Sequence, residues 1–202
     1  MKKENLLPLI ATASALRKLT ILKKLITEAK TYNIPFNKIY EALLQNYLFI
    51  GYPSALLSLK ILKELFPDKK LKKTADMNLY HFKKIGKANC KKVYGNKYEK
   101  LISNVKKFSP DLAEWLVLEG YGKVLGRKGL TFKERELCIV SVLSSLKFQD
   151  QLYSHINGAF RAKASINEIQ TVIESIHLLG NKNLSNFGLK VLMRFEEDKG
   201  MS

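Results

Sequence analysis

The chain resembles itself. When each residue of 7–62 is set against the residue 130 positions later, no gap is needed, and identical pairs include Leu7/Leu137, Ser14/Ser144, Leu16/Leu146, Leu22/Leu152, Ile26/Ile156, Ala29/Ala159, Asn37/Asn167, Ile39/Ile169, Leu59/Leu189, Lys60/Lys190 and Leu62/Leu192. Leu9/Ile139, Ile10/Val140, Leu43/Ile173 and Ile61/Val191 are similar in character. Such self-similarity constrains the fold more than composition does, because one supersecondary solution must serve both halves. The expected organisation is a first helical repeat over 1–66, a connecting insert over 67–130 and a second repeat over 131–202.

The period of the apolar residues says what each half is. Thr131 and Glu134 form a capping-box pattern that opens a helix to about Leu146, with Leu137, Val140, Leu143 and Ser144 on one face. A second helix is predicted over Gln149 to about Lys163. A third starts at the Ser165–Glu168 capping box and stops at Gly180, and a last one runs from about Leu184 to Glu197. The first repeat predicts helices at roughly 5–30, 36–50 and 54–66, with Gly51-Tyr52-Pro53 as a turn. In the insert, Asn96 to Lys107 reads as a helix, and Ser109-Pro110-Asp111 starts another that carries Leu112, Trp115, Leu116 and Leu118. No segment alternates with period two, so the expected class is all-α. Hydrophobic residues make up 46% of the chain, enough to bury a core around such helices.

Charge and cysteine usage narrow the function. The net charge is +17, which suits nucleic acid or an acidic membrane surface. Short clusters such as Lys72-Lys73, Lys83-Lys84, Lys91-Lys92 and Lys106-Lys107 come without a nucleic-acid-binding signature, so a solvated lysine coat is expected and nucleic acid is not. Cys90 and Cys138 form neither a CxxC nor a disulfide framework. With His81, His155 and His177 the only histidines, no metal site is expected. The start MKKENLLPLIATASA imitates a secretory signal, but Glu4 and Pro8 interrupt it and it belongs to the repeat. No apolar run approaches the ~20 residues of a membrane span. The expectation is a cytoplasmic protein with free thiols and no membrane partner.

The two repeats disagree at two telling places. His155 stands opposite Leu25, and Glu136 opposite Leu6. An ionisable group at a core-like position costs several kcal/mol unless paired. The two polar residues lie on consecutive helices, and an antiparallel hairpin brings them together. Such a pair either links two helices or forms a ligand or catalytic site.

The set of residues around them resembles a known superfamily. Tyr121-Gly122 before Arg127 and Leu130, then Arg135-Glu136-Leu137, the helix with His155 and Gly158-Ala159, and the Ser165-x-x-Glu168-Ile169 start are similar to carboxymuconolactone decarboxylase-like proteins and the related AhpD alkylhydroperoxidases. The first repeat carries the matching Glu41-Ala42-Leu43-Leu44-Gln45 and Gly51-Tyr52-Pro53-Ser54-Ala55. The resemblance implies an AhpD-like helical bundle, a two-copy chain like a fused dimer, a homo-oligomer (trimer or hexamer), a small-molecule substrate and no cofactor. The AhpD motif E-x11-C-x2-C-x3-H falls on Glu136 and His155, but Phe148 and Gln151 occupy both cysteine positions. Thiol peroxidase chemistry needs a low-pKa thiolate and a resolving partner. Only a lone Cys138 or Cys90 remains for it, so that activity is disfavoured. For the decarboxylase branch, His155 would be the general acid, Glu136 would orient it or tune its acidity, Arg127 or Arg135 would hold substrate carboxylates or else be surface or helix-pairing residues, and Tyr121 would line the pocket or merely pack against it. A non-catalytic helical oligomer or binding protein is the alternative.

Overall fold

The structure is a computed structural model and describes residues 2–71, 78–180 and 182–201. Lys72-Lys73 lies outside these. Among the described residues the chain is all-helical and has no strand. It forms two compact units, residues 1–69 with 129–202, and residues 70–128.

The first unit is built on α1 (Leu6–Ala15) and α8 (Phe132–Leu146). Every residue of α1 is buried, as is every residue of α8 from Arg135 to Ser145. A helix that is apolar nearly all round can satisfy itself only at the centre of a bundle, and the alanines of α1 and the serines of both helices let them approach. Thr12 and Ser141 hydroxyls meet across them at 2.6 Å. Around this pair lie α2 (Leu19–Thr31), α3 (Phe36–Leu44), α4 (Tyr47–Leu65), α9 (Gln149–Arg161), α10 (Ile166–Ser175) and α11 (Lys182–Lys199).

Both capping boxes predicted on α8 and α10 are present. Gly180 ends the short 3-10 turn Ile176–Leu179 in the left-handed region at φ 87°. The predicted helix at 5–30 is instead two helices, broken at Arg17, whose φ is 54°. The equivalent break in the second half is at Lys147, with φ 60°. The same spacing of 130 links Asn33 at φ 54° to Lys163 at φ 67°. It also links the turn hydrogen bonds Lys18 N–H to Ala13 O and Phe148 N–H to Leu143 O, both near the ideal length at 2.9 and 3.2 Å. Helices α2 and α9 share both bounds at that spacing, at 13 residues each. The predicted 36–50 helix divides at Gln45-Asn46, and the chain then kinks at Gly51, φ 71° and ψ 172°, instead of turning fully before residue 54.

The capping-box glutamates are also tied to neighbouring helices. Glu134 accepts from Lys38 of α3, and Glu168 accepts from Lys133 of α8 at 2.7 Å. Burial works to raise the Glu134 pKa, but the hydrogen bonds from Lys38 and Thr131 outweigh it and hold the carboxyl below its ordinary value of 4.5. The Lys133 hydrogen bond, with the Ser165 N–H, lowers Glu168 likewise. A depressed folded pKa gives stability that is full above the ordinary carboxylate range and is lost as pH falls through the folded value. Melting temperature is therefore expected to drop below about pH 4.5 with a slope that Glu134→Gln with Glu168→Gln reduces, each half-exposed site contributing up to about 1 kcal/mol. An unchanged slope in a pH series of thermal melts would remove these carboxylates from the account.

The second unit contains α5 (Leu79–Tyr94), α6 (Tyr98–Phe108), α7 (Pro110–Trp115) and a π-helical stretch over Leu116–Val124. Ser109 caps α7 as predicted, its hydroxyl accepting from the Leu112 N–H at 3.2 Å. Helix α5 was not predicted. Its inward face is Phe82, Gly86, Cys90 and Val93, a stripe in which one member has no side chain and another is a thiol.

Candidate functional site

Helices α8 and α9 place Glu136 and His155 on facing sides of one interior. Their exposures are 1% and 4%. His155 Nδ1 lies 2.8 Å from Glu136 Oε2. The carboxylate is acceptor-only when ionised, so it selects the tautomer with the proton on Nδ1, or the imidazolium. Among the described residues this is the only hydrogen bond of the imidazole, which leaves Nε2 as the ring atom able to accept or deliver a proton. The half-buried Phe49 of α4 stands edge-on to the imidazole, ring centres 6.4 Å apart. The mismatch between repeats thus marked two residues that meet.

Arg135, the next residue on α8, turns elsewhere. It is 2% exposed. Its Nη1 donates to Gln45 Oε1 at 2.9 Å, and its Nη2 lies 3.3 Å from Glu41 Oε2. Gln45 Nε2 returns a long contact to the Arg135 carbonyl at 3.5 Å. This is a buried ion pair that ties α8 to α3. The Glu41-to-Gln45 segment was singled out by resemblance, but nothing in the sequence marked it as the arginine's partner. Arg135 lies 90 residues from Gln45 and 94 from Glu41 in sequence, and no periodic signal reaches that far.

Tyr121 and Arg127 belong to the second unit. Tyr121 is 3% exposed there. Its hydroxyl donates to Tyr94 Oη at 3.3 Å with the rings edge to face, and its carbonyl accepts from Asn89 at 3.1 Å. Of the two roles sequence left open for it, packing is the one seen within this unit. Arg127 is half-buried.

Both cysteines are buried. Burial pushes the Cys90 thiol up to about 12. Burial does the same to Cys138, up to about 12, against a smaller opposing pull from Arg135. A lone-thiol peroxidase needs the opposite, an accessible thiol of depressed pKa. A shallow open depression of about 380 Å³ lies elsewhere in the first unit, lined by Glu174, His177, Lys182, Ser185, Asn186 and Leu189. It involves neither His155 nor Glu136.

Fold and site together describe an all-helical protein with a buried histidine–carboxylate pair between adjacent helices. No family model matches the chain. It is similar to "Peroxisomal protein 2" of Schizosaccharomyces pombe, with 27% identity over 141 residues covering 67% of this chain. The match spans 65% of that protein's length.

Proposed function

We propose that the protein is a carboxymuconolactone decarboxylase-like acid–base lyase acting on a small molecule. In this reading the chain is an AhpD-like bundle made of two copies of one helical unit, and the second copy alone carries the proton-handling site. The single observation that carries it is the 2.8 Å His155–Glu136 contact at positions where the first half has Leu25 and Leu6. A carboxylate fixed on Nδ1 leaves Nε2 to protonate the carbanion or enolate that follows loss of carbon dioxide. Arg135 already serves Glu41 and Gln45, so in this reading it orients α8 and does not receive a substrate carboxylate. A homo-oligomer, trimer or hexamer, and a cytoplasmic setting accompany the proposal. The relative's name makes a peroxisomal location the competing outcome of a cell fractionation.

The deep burial of both partners favours a second reading, a non-catalytic protein of the same fold in which the pair only joins α8 to α9. The deciding experiment is carbon dioxide release from carboxymuconolactone by the purified protein beside His155→Gln. The expected result is turnover that falls at least about 100-fold in the variant, the usual share of a general acid. Equal turnover in both proteins would remove His155 from the chemistry. No turnover in either would reject this substrate and favour the packed-pair reading.

A further inference from the structure

The second unit concentrates the chain's charge. Residues 70–128 carry 15 Lys and Arg against 5 Asp and Glu, so they hold +10 of the total +17. On the same unit, α6 has an apolar stripe at Tyr98, Leu101, Ile102, Val105 and Phe108, the spacing of one helix face. The fold covers it poorly. Only Tyr98 is buried, Leu101, Ile102 and Val105 are half-buried, and Phe108 is 74% exposed. Leu112 and Trp115 of the adjoining α7, three apart and hence on neighbouring positions of one face, are 51% and 55% exposed. The exposed start of α5, with Leu79 at 60% and Tyr80 at 79%, is tied to α7 by Lys83 and Glu114 at 3.4 Å. Lys97, at the N-cap of α6, and Lys106 are exposed at the two edges of the stripe.

We propose that this face of α6 and α7 docks on an anionic lipid surface. Exposed Phe, Leu and Trp beside lysines are the features that seat an amphipathic helix at the headgroup boundary, the rings and aliphatic tips entering the acyl edge while ammonium groups meet lipid charge. Among the described residues no helix is long and apolar enough to cross a membrane, and a surface-lying helix needs none. The sequence-based expectation of no membrane partner rests on the lack of a span and on taking the lysines as a solvated coat. A second copy is a poor occupant, because it would bring together two units of net charge +10. Nucleic acid fits less well, because 14 of the 15 cations are lysine, without arginine's planar fork.

Trp115 is the only tryptophan in the chain, so its own emission reports contact. The full chain is titrated with phosphatidylcholine vesicles with and without phosphatidylserine. The expected result is a blue shift and co-sedimentation with the phosphatidylserine vesicles alone, both reversed near 1 M salt, where the screening length falls to about 3 Å. Lys97→Ala with Lys106→Ala is expected to weaken partitioning about 30-fold, and Phe108→Ser to weaken it without changing the helical circular dichroism. These positions are exposed, so folding is retained. Absence of both shift and co-sedimentation overturns the proposal. So does binding of a DNA or RNA oligonucleotide, or self-association through Phe108, by a protein that ignores the vesicles.

Discussion

Replacing Glu136 alone by leucine is expected to lower the unfolding free energy by about 3 kcal/mol, and adding His155→Leu is expected to restore most of it. Breaking a buried pair leaves one polar group in the core without its partner, whereas replacing both members by apolar residues of similar volume is often neutral or stabilising. Leu6 and Leu25, 130 positions earlier in the sequence, show that leucine is accommodated at buried places of this unit, at 0% and 6% exposure. Urea unfolding of the two single variants and the double variant measures the coupling directly. A double variant as unstable as the sum of the singles would mean that the surroundings of α8 and α9 are shaped for the polar pair and not merely tolerant of it. Stability restored with turnover absent is the pattern expected of a site kept for chemistry.

The legible part of the fold was the part written in local chemistry. Thr131–Glu134, Ser165–Glu168 and Ser109-Pro110 each satisfy orphan helix donors within four residues, so sequence located those helix starts well. The break at Arg17 was missed because it is made by a long cationic residue held in the left-handed region, where glycine or asparagine is the usual sign. Its twin at Lys147 is bracketed because Lys147 and then Gln149-Asp150-Gln151 interrupt the apolar run. The site was legible to the extent that the two halves could be compared. Leucine in one and an ionisable residue in the other picked out Glu136 and His155, which then proved to be partners. For Arg135 the sequence leaves substrate binding and helix pairing both open, because an arginine beside a site glutamate gives no hint that Glu41 and Gln45 approach it from another helix.

Gly86→Ala and Gly122→Ala are each expected to destabilise residues 70–128 by about 3 kcal/mol, the upper end of the usual cost of overpacking. Helix α5 and the π-helical stretch meet backbone to backbone. A Cβ on Gly86 would lie 1.9 Å from the Val117 carbonyl oxygen, and one on Gly122 would lie 2.2 Å from the Phe82 carbonyl oxygen. Both distances are far inside van der Waals contact, and the clashing atoms are main chain, so no rotamer change relieves them. Gly120 supplies the control. It belongs to the same wide turn, but its added Cβ would meet nothing closer than 4.0 Å. Gly120→Ala is therefore expected to be neutral or to stabilise by a few tenths of a kcal/mol through the unfolded chain. Hydrogen exchange resolves the effect by segment: the amides of α5 and of 116–124 should lose protection in the first two variants and keep it in the third. Equal behaviour of all three would mean that the helices can separate freely, and the close glycine contact would then not be what holds α5 in place. The wide turn accompanies the same contact. A π-helical bond such as Leu125 N–H to Gly120 O, at 2.9 Å, admits an extra residue into the helix. That residue allows Tyr121 to turn inward to Tyr94 while Gly122 keeps its open side against Phe82.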